Sequence, residues 1–262
     1  MTDADEAWGF EWGSADGNGG FVRLALHREA RVAWFWAYVW RPGMGPVAVR
    51  DHEVAPPRGA ALEIRADALW SELVCETPGE HWSIGLEAFA VALDDADDAL
   101  RGEIGERVAL GFDFEWETAG APFTSSLDGV VREEQPGVVR GEVLLGRERM
   151  PLDTVGRFEH VIGDTGRTDL VNRSTIAWDD GSWWSSLTGP EFNDLEITAE
   201  SRAVIPIGDS VVTRGLGRAT AGGRAGTGWM ESVAPVRAKI PGWISTPVRR
   251  PSSSAAPGPS SA

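Results

Sequence analysis

Cysteine is almost missing from this 262-residue chain, Cys75 being the only one. No internal disulfide can form, so the chain is expected to work in a reducing compartment, the cytoplasm. As a single thiol in a period-two stretch, Cys75 is expected to pack as a small buried apolar residue. Histidine is scarce as well. His27, His52, His81 and His160 show no i,i+4 or other short paired spacing, which argues against a zinc or iron centre. Long apolar runs are absent: nothing approaches the ~20 residues of a membrane-spanning helix. The N-terminal MTDADEAWGF is acidic and lacks the apolar centre of a secretory signal. Basic charge is outnumbered, with 24 Lys and Arg against 40 Asp and Glu and a net charge of −16. A surface of that sign repels nucleic-acid phosphates and anionic membranes, so neither is expected as a partner. The charge is uneven: residues 1–120 carry −14, 121–201 carry −8 and 202–262 carry +6, so the last segment is expected to dock on the acidic remainder.

Familiar catalytic signatures are missing too. The glycine-rich GSADGNGG (13–20) and GLGRATAGGRAG (215–226) lack the Lys followed by Ser or Thr of a phosphate-binding loop, and neither lies between a strand and a helix. They read as turns. No Gly-x-Ser-x-Gly elbow is present, which leaves no case for a serine hydrolase. Helical periodicity is nearly absent, and DDADDALRGEIGE (94–106) forms either a short helix or an acidic loop tip.

What the chain does have is period-two alternation. FVRLALH (21–27), VAWFWAYVW (32–40), VAVRDHEV (47–54), ALEIRA (61–66), LWSELVCE (69–76), WSIGLEAFAVAL (82–93) and VALGFDFEWE (108–117) all read as strands, and similar runs continue to AKI near residue 240. DDGS (179–182) supplies Asp180-Gly181 between two aromatic runs, the dipeptide a type I′ hairpin prefers. Some fourteen short strands predict an all-β fold of barrels or sandwiches, and closure into a barrel would remove exposed edges. Residues 247–262, PVRRPSSSAAPGPSSA, lack the apolar content to fold and are expected to be a disordered tail.

Thirteen tryptophans stand against one tyrosine. In AWFWAYVW, Trp34, Trp36, Tyr38 and Trp40 share one face and Ala33, Phe35, Ala37 and Val39 the other, so both faces are covered or one lines a cavity. Core packing uses Leu, Ile, Val and Phe more readily than indoles, each of which needs a partner for its N–H. The tryptophans are therefore expected to wall a pocket, with Trp34, Trp36, Tyr38, Trp82, Trp116, Trp183, Trp184 and Trp229 as its substrate-binding residues. In GFDFEWE, Phe112, Phe114 and Trp116 share a face opposite Asp113, Glu115 and Glu117. Those carboxylates are solvated if they point outward. If they point into an aromatic cavity, desolvation raises a pKa and makes a general acid. In ETPGEHWSIGLEAF, His81 and Glu87 share a face but stand about 20 Å apart along a straight strand, so each needs another partner.

The combination of WGFEW, AWFWAYVWRPG, ALEIRADALWSELVCETPGEHWSIGLEAFAVALDD, GERVALGFDFEWE, GEVLLGRERM, GRFEH and GTGWMES resembles the carotenoid hydratase (hydroxyneurosporene synthase) superfamily, which takes in lipocalin-like Diels–Alderases. The likeness covers roughly residues 8–235. It implies two tandem lipocalin-like antiparallel β-barrel domains, here placed at 1–135 and 136–246, no cofactor, and an apolar polyene, terpenoid or polyketide substrate altered by hydration or cyclisation. Relatives carry a His-Ser-Trp-Gly type segment where this chain reads EHVIGDTGRTD, with Ile162 in place of the Trp, which puts the activity carried by that segment in doubt. The enzyme reading assigns Asp113 or Glu115 as acid and His160 with Glu159 as a polar pair. The alternative is a non-catalytic carrier of a hydrophobic small molecule, favoured if residues 113–117 turn their carboxylates outward. A third reading, sugar-stacking platforms, requires Trp183 and Trp184 to lie exposed in a flat row.

Overall fold

The structure, a computed structural model, describes residues 4–57, 62–101, 105–127, 129–163, 172–186, 194–207 and 210–235. The tail expected at 247–262 lies outside them, as do residues 164–169 of EHVIGDTGRTD. Sixteen strands follow in order: β1 (Glu6–Gly13), β2 (Gly19–His27), β3 (Val32–Trp40), β4 (Val47–Val54), β5 (Leu62–Ala66), β6 (Leu69–Thr77), β7 (His81–Ala92) and β8 (Glu106–Thr118). Then come β9 (Phe123–Leu127), β10 (Val130–Leu145), β11 (Glu148–Ile162), β12 (Asn172–Trp178), β13 (Trp183–Ser186), β14 (Glu196–Ile207), β15 (Ser210–Ala221) and β16 (Arg224–Pro235). The acidic stretch after β7 forms a short 3-10 helix, Ala96–Arg101. The all-β, antiparallel class expected from the alternation is the one the chain adopts, and no helix among the described residues is long and apolar enough to cross a membrane.

Strands β1–β11 make one sheet in the order β4-β3-β2-β1-β11-β10-β8-β7-β6-β5, with β9 on β10. Val47 and Ala48 of β4 also pair with Ala92 and Val91 of β7, so the hydrogen-bonded path through eight strands returns to its start. Strands β12–β16 make a second, five-stranded sheet in the order β13-β12-β16-β15-β14. The division expected at residue 135 falls inside β10. Sheet membership changes between Ile162 and Asn172 instead, because β10 and β11 form one long hairpin that bridges β1 and β8.

The first sheet buries the face carrying Phe10, Trp12, Phe35, Phe112, Phe114, Trp116 and Phe158, each at most 5% exposed. Their rings pack on one another: Trp12 meets Phe114 at 4.8 Å between centroids, Phe10 meets Phe158 at 5.1 Å, and Trp82 stacks on Phe158 at 5.4 Å. Gly137 of β10 is part of this fit, since a Cβ there would overlap the Trp116 indole. Cys75 is exposed on β6, correcting the expectation that it is buried; it continues the file of buried Leu69, Ser71 and Leu73 but lies beyond Leu73, the last residue paired with β5, at the open end of the strand.

One detail of local chemistry differs from the sequence reading, and one alternative left open by it is decided. The β12–β13 hairpin is not a two-residue type I′ turn. Trp178 donates its N–H to Ser182 O (2.9 Å), Gly181 donates to Trp178 O (2.9 Å), and only Gly181 (φ 82°) takes the left-handed conformation. Glycine spares the turn a Cβ clash there, while Asp180 contributes its carboxylate to Ser182 instead. The 3-10 helix is a docking element rather than a loose acidic tip. Ala96 packs on Val204 and Val211, and Asp97 pairs with Arg202 at 2.8 Å, tying the first sheet to the second. Replacing Gly137 by Ala is expected to lower stability by about 1–3 kcal/mol through overpacking against Trp116, read as a lower urea midpoint with intrinsic fluorescence as the probe.

Candidate functional site

The face of β1–β3 and β11 opposite the aromatic interior looks toward the second sheet, and register builds it row by row. One row runs Trp36 (β3), Arg23 (β2), Gly9 (β1), Glu159 (β11), Glu134 (β10). The next runs Tyr38, Phe21, Glu11, Arg157. The second sheet answers with Arg173, Glu231 and Arg214 in one row and Thr175, Trp229 and Leu216 in another. Aromatics therefore occupy the β3 side of the junction, and charged groups occupy the centre around β1 and β11.

The aromatic part answers what the AWFWAYVW file is for. Trp36, Tyr38 and Trp40 are at most 3% exposed and pack with Phe21 of the neighbouring β2 and with Ala203, Ile205, Val212, Leu216 and Trp229 from across the junction, while Phe35, Ala37 and Val39 face the interior of the first sheet. Phe21 stacks on Tyr38 (5.1 Å, 7°) and Trp183 on Trp229 (5.7 Å, 12°). The indole N–H groups of Trp36, Trp40 and Trp229 are buried without a hydrogen-bond partner. Trp34 and Trp183 are only half-buried. Beside Trp34 sit His27 (4.0 Å) and His52 (4.8 Å), with His27 Nδ1 at 3.0 Å from Asp5. Burial, then the neighbouring Arg50 cation, pushes His52 below the usual imidazole range.

The charged part is a buried network. Arg157 spans it, donating to Glu11, to Glu134 (2.9 Å) and to Thr175 Oγ1 (3.2 Å). Arg173 Nη1 serves both Glu134 and Glu159 (2.9 Å). Glu159 also accepts from Arg23 and Arg132 (3.1 Å), and Arg214 pairs with Glu231 at 2.6 Å and lies 3.7 Å from Glu11. Burial alone would push these carboxylates up. At Glu159 the Arg132 and Arg23 cations overrule it and hold the group at about 2. At Glu231, Arg214 and Arg132 likewise hold it at about 2. Glu134 moves the other way: its desolvation and the nearby Glu159 charge outweigh Arg157, so it rises. A cavity of about 10 Å³, the scale of one water, lies in the network, lined by Gly9, Glu11, Arg23, Arg157, Glu159 and Arg214.

The residues named from the sequence fall in different places. Asp113 and Glu115 are exposed on the outer face of β8, opposite Phe112, Phe114 and Trp116, so neither looks into an aromatic cavity. Glu115 lies 3.5 Å from His81, the partner that Glu87 could not be. Glu159 and His160, expected to work as a pair, are strand neighbours and point to opposite faces. His160 meets Glu6 instead, Nε2 to Oε1 at 2.9 Å, and stacks on Trp8 at 5.3 Å. Glu159, held at about 2 by the cations beside it, has Arg23, Arg132 and Arg173 as partners in place of His160. The aromatic set divides three ways. Trp34, Trp36, Tyr38, Trp183 and Trp229 line the junction, Trp82 and Trp116 fill the first sheet, and Trp184 packs on the far side of the second sheet with Ile176 and Trp178. Consecutive on β13, Trp183 and Trp184 face opposite ways and make no flat row for a sugar. Ile162 ends β11, paired with Glu6 and Val131.

The sequence reading missed Glu11, Arg23, Glu134, Arg157, Arg173, Arg214 and Glu231. One signal was available: Lys239 is the only lysine, so nearly all positive charge is arginine, the side chain suited to buried, forked ion pairs. Among the described residues no group of three or more His, Cys, Asp or Glu is placed to hold a metal.

Fold and site define an all-β protein of two antiparallel sheets joined across an aromatic layer and a buried Arg–Glu network. More than half of the chain, residues 2–164, matches the family model described as Domain of unknown function (DUF7064), and the chain belongs to that family. The matched span takes in β1–β11, the whole of the first sheet. No curated relative matches the chain. Among solved structures it is similar to a Nitrosomonas europaea protein designated a candidate AttH, at 12% identity over 87% of this chain and 92% of that one with a TM-score of 0.49. It is also similar to CghA, at 8% identity over 88% of each chain with a TM-score of 0.42. At TM-scores under 0.5 neither likeness bears on what this chain binds or does.

The network sets an acid limit. Glu159 and Glu231 have folded pKa values of about 2 against an unfolded 4.5, so the stability they contribute is complete above the unfolded value and is lost as pH falls from about 5 to about 2. Glu134, raised, acts in the opposite sense and offsets part of that loss. The wild-type urea midpoint is expected to fall across this window. Glu159→Gln is expected to lose about 3–5 kcal/mol at pH 7, because the buried Arg173 and the part-buried Arg23 and Arg132 lose a shared anion, and to show a flatter pH dependence. An unchanged pH 7 midpoint would contradict the network's structural role.

Proposed function

We propose that the protein binds an apolar small molecule against the aromatic layer between its two sheets. The observation that carries this reading is the gathering of three buried, unpartnered indole N–H groups, those of Trp36, Trp40 and Trp229, in one layer at the sheet junction; Trp116 adds a single such donor in the packed interior of the first sheet. Packing for stability alone rarely leaves such donors unsatisfied, whereas a site reserved for a guest uses broad indole faces and keeps a donor or two for orientation. Entry requires the sheets to part along the layer, and the half-buried Trp34 and Trp183 are where a ligand first meets it. The outward carboxylates of β8 favour this carrier reading over the enzyme reading. The polyene, terpenoid and polyketide-type compounds implied by the sequence resemblance form the natural panel.

Titration with that panel is expected to quench tryptophan fluorescence saturably for at least one compound. Trp34→Ala and Trp183→Ala are each expected to weaken it roughly tenfold or more, the scale of one lost aromatic contact surface. Asp113→Asn and Glu115→Gln are expected to leave it unchanged. Absence of saturable quenching by every compound would remove the reading.

A second reading, cofactor-free cyclisation or hydration, is favoured by one observation: the His160–Glu6 pair beside the Trp8 ring, half-buried at the end of β1 and β11. A positioned imidazole–carboxylate pair can move a proton, and an adjacent indole can stabilise a developing cation. If the protein turns over a compound that it binds, as read by mass spectrometry, His160→Ala is expected to slow product formation by about 100-fold or more with quenching intact. Bound compounds that emerge unchanged leave the carrier reading alone.

A further inference from the structure

His27 is satisfied on one side only. It closes β2 on the junction face, the face of Ala25 and Trp34, with a side chain 11% exposed. Its Nδ1 lies 3.0 Å from Asp5 Oδ2, and Asp5 is itself held: Oδ1 accepts the Arg28 N–H (2.9 Å) and its backbone O accepts the Gly163 N–H (3.0 Å). A carboxylate can only accept, so Nδ1 carries the proton and Nε2 of the neutral ring is left with a lone pair. That Nε2 is buried and has no hydrogen-bond partner. A histidine kept for structure alone has each ring nitrogen bonded or wet. The Trp34 ring stands 4.0 Å from the imidazole, tilted by 47°, at the half-buried place where a guest meets the layer. The bare nitrogen is covered while the layer is closed, so it is presented only to a guest that parts the sheets. His52, on the strand at the other side of β3, also has a buried, unpartnered Nε2, but no hydrogen bond among the described residues fixes its tautomer.

The lone pair selects the guest's polar end. The indole N–H groups of Trp36, Trp40 and Trp229 are donors and suit any oxygen, whereas His27 Nε2 requires a donor. Ether, ester and ketone oxygens only accept. A carboxylate only accepts too, and it would stand beside the charge of Asp5, with the Arg28 guanidinium already engaged by Glu6 (2.8 Å) and Ala4 O (2.9 Å). An ammonium donates, but at the cost of burying a charge among rings. A hydroxyl donates through its O–H, accepts through its oxygen and carries no charge. We propose, resting on the apolar-ligand reading, that the guest of the aromatic layer is an apolar alcohol whose hydroxyl donates to His27 Nε2 while its hydrocarbon lies on Trp34. Asp5 is then a positioning residue, since it acts through the ring it orients.

Three terpenoid probes that differ at one end separate the outcomes: farnesol, farnesyl methyl ether and farnesoic acid, titrated at neutral pH into the full chain and followed by tryptophan fluorescence and calorimetry. Farnesol is expected to bind about 3- to 10-fold tighter than the ether, the range of one buried hydrogen bond, although the ether is the more apolar of the two. His27→Asn keeps a donor where Nδ1–H stood and has no atom where Nε2 stood, so it is expected to abolish the preference. His27→Gln, whose longer amide reaches the Nε2 position, is expected to retain part of it. A ring that only packs on Trp34 would, when replaced, weaken all three probes alike. Ether or acid that binds the wild type at least as tightly as farnesol, or a folded His27→Asn that keeps the preference, overturns the hydroxyl site and leaves the apolar-ligand reading standing. Absence of saturable binding by all three removes that reading for terpenoids and the hydroxyl site with it. The wild-type comparison decides even where a variant does not fold.

Discussion

The ion network centred on Arg157 is the constraint around which the two sheets are arranged. One guanidinium on β11 holds Glu11 of β1, Glu134 of β10 and Thr175 of β12, so the sheets meet where its donors find acceptors. Desolvating this many charges is costly and is offset only when every carboxylate has its cations in hydrogen-bonding geometry. That requirement fixes register. Slipping β11 by one residue would turn Arg157 and Glu159 into the aromatic interior and Phe158 toward the arginines of β12 and β15. Apolar packing alone tolerates substitution as long as volume is kept, whereas a network of this kind admits one alignment.

The aromatic layer and the network divide the junction between them. On the β3 side, stacked rings provide area without direction; at the centre, guanidiniums provide direction with little tolerance. Arg214 belongs to both, with its guanidinium 4.3 Å above the Phe21 ring and its donors on Glu231. This arrangement suits a protein that must keep two sheets registered while leaving part of their contact soft enough to admit a guest. The dense interior of the first sheet shows no comparable mixture. Its Trp82, Trp116 and Phe158 pack on one another as core, with the Trp116 N–H also buried and unpartnered, so indoles that look alike in the sequence differ in whether they face the junction or the interior.

Much of the strand layout was legible. β3 and β4 run over the residues their alternation marked, and β2 and β5–β8 fall within two residues of theirs, because period two is a local property of side-chain placement. The outward turn of Asp113 and Glu115 was one of two orientations the alternation allowed. Glu11, Arg23, Arg157 and Glu159 were not recognisable as a site. Glu11 and Arg23 sit between apolar neighbours and Arg157 and Glu159 flank Phe158, and such a pattern ordinarily means one wet face and one dry face. What covers the supposedly wet face comes from β12, β15 and β16, more than a dozen residues further along the chain, and no local pattern reports that.

The sequence by itself determined that the chain builds antiparallel strands, that the AWFWAYVW strand is apolar on both faces, and that basic charge is carried by arginine. These follow from composition and from the two-residue repeat of an extended backbone. Only the tertiary structure decided which face meets which sheet: that Trp36 and Trp229 share a layer while Trp116 is core, that His160 pairs with Glu6 and not with Glu159, and that Arg157, Arg173 and Arg214 are buried together with Glu11, Glu134 and Glu159. Those outcomes depend on strand order and on the packing of distant segments, since a side chain's environment is set by what is brought against it and not by its neighbours in sequence.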